Sequence, residues 1–178
     1  MSKIVIRAAE ENDREDILGM LQRLQNYEHA LHAGRRPGNE VDEYQYVRIL
    51  ESTKAFNGAF LVAVEKEELV GLTAGWMIID DNQLAEMPHR EHGHISVLFV
   101  DDEHKGKDIA RLLLEAIQGH LMSVGASRLS ISSLARNGPV LTATRTFGFE
   151  PYEIILEKKV GWKNTMSTAS PCGGGVQP

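Results

Sequence analysis

The sequence predicts an α/β fold with a mixed central sheet flanked by helices on both faces. Two apolar runs, at residues 59–64 and 69–79, are separated by only four polar residues and therefore predict a hairpin early in the chain. From residue 95 onward, strand and helix patterns alternate, which indicates βαβ units and parallel strand pairing. A chain with antiparallel pairing first and parallel pairing later builds a mixed sheet whose crossover helices cover the faces.

The predicted elements follow one another with short connections. The helix at 108–124 has the clearest pattern, because its apolar residues form one stripe and Gly125 is placed to end it. A glycine- and proline-containing stretch at 32–39 separates the first two helices. In order, we expect a strand at 4–7, helices around 17–24 and 44–50, strands at 59–64, 69–79 and 95–100, the helix at 108–124, a strand at 128–134, a helix at 139–146 and a last extended segment at 147–160.

The bulk composition bounds the class of protein. With 178 residues, 42% hydrophobic and 25% charged, the chain predicts one domain at residues 1–160 and a flexible tail at 161–178 that contains Gly, Ser and Pro. A formal charge of −6 argues against nucleic-acid binding, which needs a basic face. No apolar run approaches the roughly 18 residues of a membrane helix, and no signal-peptide pattern precedes the first strand. We therefore expect no membrane partner and a cytoplasmic location.

Thiol and metal chemistry are not indicated. The single cysteine, Cys172, lies in the predicted tail, where we expect a free thiol and not a nucleophile. His89, His92 and His94 lack a helical i, i+4 pair and a matching distant ligand pattern. We therefore predict no metal site.

The most informative stretch runs from a strand through a turn into a helix. Residues 97–100 are apolar, Lys105-Gly106-Lys107 forms part of a short polar turn, and the amphipathic helix follows from Asp108. The first amides of a helix lack intrahelical acceptors, and the helix dipole attracts anions to that end. The stretch therefore predicts a phosphate-binding site, although it matches neither a Walker A loop nor a dinucleotide fingerprint.

This stretch resembles the acyl-CoA-binding motif of the GNAT acyltransferase superfamily, which reads [Q/R]-x-x-G-x-[G/A] after a strand. The six motif positions are residues 105–110. A second family signature, N-(x)10-G-F, is matched by Asn137 and Gly148-Phe149. The resemblance covers roughly residues 4–160, and the predicted order of elements agrees with the family fold.

The resemblance implies acetyl-CoA as the acyl-donor cosubstrate and indicates which residues would bind it. The strand before the turn would splay from its neighbour and offer backbone groups to the pantetheine arm. The amides of the turn would hold the pyrophosphate, with two lysines adding positive charge. The expected cofactor-binding residues are Leu98, Phe99, Val100, Lys105, Gly106, Lys107, Asp108, Ile109, Ala110 and Asn137.

The sequence departs from the family pattern at three positions. Asp108 stands where the motif has glycine; we expect it to cap the helix and face solvent, and the alternative is a weakened cofactor site. Thr144 replaces a tyrosine that often protonates the leaving thiolate, and Ser96 replaces a glutamate that often acts as a base through water. Tyr44, Tyr46, Tyr152 or water are alternatives to Thr144.

Strict strand alternation places His94 on one face with Ser96, Leu98 and Val100, so His94 is the nearest candidate base on that face. Glu91 and His92 are alternatives. The candidate catalytic residues are therefore His94, Ser96 and Thr144.

We expect direct transfer of the acetyl group to a primary amine of a small molecule or peptide. Acidic and aromatic residues of the first two helices and of the loop before residue 95 would suit a cationic acceptor; they are Tyr27, Glu28, His29, Glu40, Asp42, Glu43, Tyr44, Tyr46, Asp80, Asp81 and Glu86. One alternative is an acyl-CoA-binding sensor or partner module with little activity, and another is an enzyme for a longer acyl donor. The last extended segment is too short for two strands, which leaves a sheet edge for a homodimer.

Overall fold

A computed structural model describes residues 3–81, 86 and 90–158 of the protein. Within these residues, five strands form one sheet in the order β1-β2-β3-β4-β5, antiparallel except for the parallel pair β4–β5. The strands are β1 (Ile4–Ala8), β2 (Ala59–Glu65), β3 (Glu68–Ile79), β4 (Glu91–Val100) and β5 (Leu129–Ile131). The helices longer than one turn are α1 (Arg14–Leu31), α2 (Asp42–Ala55), α3 (Ile109–Ser123) and α4 (Gly138–Thr146). The predicted mixed sheet is confirmed.

Each face of the sheet carries its own apolar core, as the predicted two-sided packing requires. On one face, α1 and α2 pack onto Val62, Leu72 and Val97. On the other face, α3 packs onto Val70, Ile95 and other strand residues. No helix in the described residues is long and apolar enough to cross a membrane.

Three glycines of β3 and β4 lie directly beneath α3. A Cβ added to any of them would come within 3.0–3.3 Å of an α3 side chain. Apolar side chains spaced four residues apart on α3 therefore rest on sheet backbone, which brings the helix close to the sheet. The contacts join Leu113 to Gly71, Ile117 to Gly75 and Leu121 to Gly93.

A β-bulge at Ser96 changes which side chains share a face. Ala74 pairs with Val97 but Gly75 pairs with Ile95, so Ser96 is the extra residue in β4. Upstream of the bulge, His94 lies opposite Trp76, on the face covered by α1 and α2.

Downstream of the bulge, Leu98 packs in the core beneath α3 together with Ile95, three residues earlier. Val100 also packs against that core, whereas Val97 belongs to the core under α1 and α2. The prediction that His94 shares a face with Leu98 and Val100 is wrong, because strict alternation does not hold through a bulge.

The predicted last strand is also wrong within the described residues. After α4 the chain turns at Gly148, and residues 151–158 form no strand. Four apolar side chains of this segment are exposed: Tyr152 by 74%, Ile154 by 76%, Ile155 by 87% and Leu156 by 90%. The strand pattern in the sequence is therefore present, but the segment pairs with no neighbour in the described part of the chain. Residues 159 and 160, the predicted tail and Cys172 lie outside the described residues.

Candidate functional site

A cleft opens where β4 and β5 separate. The parallel pairing of these strands covers only residues 93–95 of β4, and β5 ends at Ile131. From Ser96 to Val100, the edge of β4 on this side therefore has no neighbouring strand in the described residues. The cleft has a volume of about 920 Å³, which lies within the range of ligand sites.

The cleft is lined by nine of the ten residues expected to bind the cofactor. They come from three elements: the end of β4, the turn into α3, and the start of α4. The nine are Leu98, Phe99, Val100, Lys105, Gly106, Asp108, Ile109, Ala110 and Asn137. The tenth, Lys107, is absent from the lining, and its Nζ lies 3.1 Å from Glu65 Oε2.

The turn before α3 brings the N-terminus of that helix to the cleft. Gly106 has φ +84° and Asp108 has φ +62°, so two residues of the turn are left-handed. Asp108 is the N-cap of α3, and the first helical amides after it lack intrahelical acceptors. Ile109, Ala110 and Arg111 all line the cleft. This arrangement suits a phosphate.

Asp108 occupies the N-cap position, but it does not cap the helix as predicted. Its carboxylate accepts no capping hydrogen bond and is 73% exposed, with Oδ2 3.4 Å from Arg111 NH2. A left-handed φ turns the side chain away from the amides that a capping group would meet. The part of the prediction that placed Asp108 in solvent is confirmed.

The basic groups around the cleft are held by carboxylates. Arg23 donates to Asp101 Oδ1 from NH2 at 2.8 Å, and Lys105 pairs with Asp102. These pairs are on the surface and contribute about 0–1 kcal/mol each. A bound phosphate could therefore recruit the cations at small cost.

His104 also lines the cleft and was missed by the sequence reasoning. Its Nε2 lies 3.3 Å from Glu65 Oε2, whereas its buried Nδ1 has no hydrogen-bond partner in the described residues. An orphaned imidazole nitrogen beside a cleft is a group that a ligand could satisfy. The family motif begins one residue later, at residue 105. The only signal for His104 in the sequence is therefore its position in the turn between β4 and the motif.

Other lining residues come from helix faces that carry no motif. Arg23 and Tyr27 lie one turn apart on α1, and Thr142, Ala143 and Thr146 lie on α4. Helical spacing from Asn137 could have indicated the α4 group, but nothing in the sequence places α1 beside it.

All three candidate catalytic residues lie outside the lining of the cleft. Thr144 is buried, and its Oγ1 donates to the Val140 carbonyl at 2.9 Å within the helix. Ser96 is exposed at the bulge. His94 is half-buried with its ring edge-on to Trp76, at a centroid distance of 6.4 Å.

His94 belongs to a row of hydrogen-bonded side chains at the β4–β5 junction. Ser130 Oγ lies 3.0 Å from both His94 Nδ1 and His92 Nε2, and Arg128 NH2 lies 2.9 Å from His92 Nδ1. Burial lowers the pKa of His94 below its ordinary value, and the neighbouring His92 lowers it further. Burial likewise lowers the pKa of His92. Both imidazoles are therefore neutral at pH 7.

Much of the predicted acidic acceptor surface is paired with arginine. Glu28, Glu40 and Glu43 form ion pairs with Arg35, Arg36 and Arg14. Burial raises the pKa of Glu28, and Arg35 opposes that shift. Tyr46 is buried in the core. Among the predicted acceptor residues, Tyr27 is the one that lines the cleft.

The described residues contain no group of three or more His, Cys, Asp or Glu side chains arranged to hold a metal ion. His89, one of the three histidines considered as ligands, lies outside the described residues.

This fold is that of the acyl-CoA-dependent transferases, and the sequence itself agrees. The model of the acetyltransferase (GNAT) family matches residues 21–149. The chain belongs to this family and is an acetyl-CoA-dependent N-acetyltransferase. No curated protein matches the sequence.

Solved structures share the fold at low identity. The aminoglycoside N-acetyltransferase AAC(6')-Iy in complex with CoA is 16% identical, with 90% of this chain and 96% of that chain covered and a TM-score of 0.68. Glucosamine-6-phosphate N-acetyltransferase from Arabidopsis thaliana is 18% identical, with 89% and 99% covered and a TM-score of 0.62. A transcriptional regulator from Bacillus halodurans C-125 is 17% identical, with 89% and 100% covered and a TM-score of 0.66. At these identities the likeness shows the fold alone.

Proposed function

We propose that the protein transfers the acetyl group of acetyl-CoA directly to a primary amine of a small molecule or peptide. The observation that carries this proposal is the cleft between the end of β4 and the N-terminus of α3. It joins a strand edge that has no neighbour in the described residues to a helix N-terminus that suits an anion. These are the two surfaces that a long, phosphate-bearing thioester requires.

The residues present fit acetyl-CoA. The β4 edge at Leu98, Phe99 and Val100 offers backbone groups to the amides of a pantetheine arm. The amides of residues 105–110 offer donors to a pyrophosphate. Asn137 lines the same cleft from the start of α4.

Direct transfer needs no protein nucleophile. The thioester supplies an activated acetyl carbonyl; the amine nitrogen bonds to that carbon, the carbon–sulfur bond breaks, and the thiolate takes up a proton. The amine must lose one proton, to His94, a nearby carboxylate or water. A thiol with a pKa near 8.5 leaves with little acid assistance. Thr144 is therefore not required as a strong acid.

An amine panel with acetyl-CoA tests the proposal. Purified protein is incubated with small amines, polyamines, amino sugars and peptides, and CoA release is followed by a thiol assay. Mass spectrometry then identifies the acetylated product, and propionyl-CoA serves as the matched longer donor. We expect acetyl-CoA-dependent release and an N-acetyl product with at least one amine class.

Two outcomes of this panel contradict the proposal. CoA binding with no turnover on any amine would favour an acyl-CoA sensor, a role that the off-pattern residues Ser96, Asp108 and Thr144 would allow. Preference for the longer donor would contradict acetyl specificity.

We further propose that the protein forms a homodimer through residues 151–158. This segment exposes four apolar side chains. Among the described residues it pairs with no strand, and β5 is the last strand of the sheet. Tyr152 of the segment lies against Arg128, just before β5. An unpaired edge beside an exposed apolar segment is a surface that a second copy would cover.

A further inference from the structure

Four side chains form a row of consecutive hydrogen bonds across the junction of β4 and β5; they are His94, Ser130, His92 and Arg128. His94 pairs with Ser130 in the parallel register, and His92 lies two residues earlier on the same face. Arg128 precedes β5 and closes the row at its other end. Each contact is 2.9–3.0 Å long, so each is a hydrogen bond with one donor and one acceptor.

Arg128 determines which group donates and which accepts in each hydrogen bond of this row. A guanidinium is always protonated and can only donate, so His92 Nδ1 must accept from it. A neutral imidazole carries one proton, which therefore lies on His92 Nε2. That nitrogen donates to Ser130 Oγ. The single hydroxyl proton of Ser130 then remains for His94 Nδ1, which accepts it.

The opposite direction would require His92 Nδ1 to donate to the Arg90 carbonyl, 3.1 Å away. That carbonyl already accepts the Asp80 amide at 2.9 Å, so it does not depend on a proton from His92. The reversed row would also place an N–H of His92 against the Arg128 guanidinium. The forward direction gives each of the three contacts one donor and one acceptor, without such a clash.

We infer that His94 is held as the neutral tautomer with its proton on Nε2, and that it is therefore not the general base of the reaction. Its Nδ1 accepts from Ser130 Oγ, and its Nε2 already carries a proton, so neither ring nitrogen is open to take the proton of an amine. The Nε2 has no hydrogen-bond partner in the described residues. Ser130, His92 and Arg128 are then positioning residues that set the tautomer.

This inference rests on the proposed function for its catalytic part, but not for the tautomer. Because His94 accepts no proton, the amine proton goes to water or a carboxylate. The groups that surround the row and carry charge are Arg128, Arg90 and Asp80, with His92 as the neighbouring titratable ring.

Nuclear magnetic resonance tests the tautomer directly. Long-range proton–nitrogen correlation spectra of the ¹⁵N-histidine-labelled protein, with His94→Gln used for assignment, show which imidazole nitrogen carries the proton. We expect His94 protonated on Nε2 at neutral pH. Ser130→Ala is expected to mix the tautomers of His94, and Ser130→Thr, which keeps the hydroxyl, is expected to preserve the wild-type pattern. A His94 signal with its proton on Nδ1 would overturn the inference whether or not any amine is acetylated.

Kinetics on an amine that the panel identifies test whether His94 is the base. His94→Gln keeps an N–H in place of the imidazole but cannot accept a proton at neutral pH. We expect its kcat/KM against pH to follow the wild-type curve in shape. If kcat/KM of the wild type falls at low pH and that of His94→Gln does not, His94 is the base and the inference is overturned. Failure of every amine in the panel would instead count against the proposed function and leave the spectroscopic test standing.

Discussion

Asp108 shows what the glycine of the family motif does at the level of one residue. The position has φ +62° at the N-cap of α3, a conformation that glycine adopts without cost and that most other residues adopt at about 1–2 kcal/mol. Aspartate is among the few side chains that tolerate it. The preference for glycine is therefore a backbone requirement, and the carboxylate adds a negative charge beside an anion-binding turn.

Replacing Asp108 should improve cofactor binding. Asp108→Gly removes both the strain and the charge, so we expect CoA to bind about tenfold more tightly, a gain of about 1.4 kcal/mol. Calorimetric titration with CoA measures the affinity, and thermal unfolding measures the stability.

Asp108→Asn is the matched control, because asparagine tolerates the same φ but carries no charge. It should recover most of the affinity with little gain in melting temperature, whereas Asp108→Gly should raise both. Affinities equal to the wild type in both variants would mean that the carboxylate does not repel the cofactor.

For Thr144, the sequence predicted the position but not the contacts of the side chain. The sequence located the position by its spacing from Asn137, but not the direction of the side chain. The hydroxyl bonds back to the Val140 carbonyl, as threonine often does within helices. A motif assigns a position along the chain, and only packing decides where the side chain points.

At the scale of elements, the sequence predicted the helices and strands well where a local pattern determines them. The helix predicted at 108–124 is α3 (Ile109–Ser123), because an apolar stripe and a terminal glycine are local signals. The bulge at Ser96 has no such signal. It depends on which residue of β3 lies opposite, and that pairing is non-local. The face of His94 could therefore not be predicted from alternation alone.

Asn137 links an element boundary to the cleft. It is the N-cap of α4, where its Oδ1 accepts from the Val140 amide at 3.3 Å, and it also lines the cleft. Asn137→Ala should lower the stability by about 1 kcal/mol through the lost cap and weaken CoA binding as well.

Asn137→Asp separates these two roles. An aspartate keeps the capping acceptor but loses the amide donor, so we expect near-wild-type thermal stability with weaker CoA binding by calorimetry. Unchanged affinity in Asn137→Asp would show that the residue serves only the helix.

At the scale of the molecule, the order of strands and helices was enough to predict a mixed sheet covered on both faces. The last strand was not predictable in the same way. Tyr152, Ile154 and Leu156 satisfy the alternating pattern of a strand, but a strand needs a partner, and residues 151–158 have none in the described residues. The side-chain pattern shows that a segment can form a strand, but it does not show whether a neighbouring strand is present.

The exposed segment predicts self-association. We expect sedimentation velocity of the full chain to show a dimer, and Ile155→Glu to shift it toward monomer because the added charge opposes burial. Met122→Glu, at another exposed apolar side chain on α3, is the control and should leave the dimer intact. A wild-type protein that stays monomeric at high concentration would count against the proposed interface.

The glycine contacts beneath α3 also bear on the cleft. A Cβ added at Gly71 would lie 3.2 Å from Leu113 and 3.3 Å from Ile109, which is the first residue of α3. Ile109 also lines the cleft. A side chain at Gly71 would therefore push the N-terminal end of α3 away from the sheet, so a position in the middle of the sheet sets where the wall of the cleft stands.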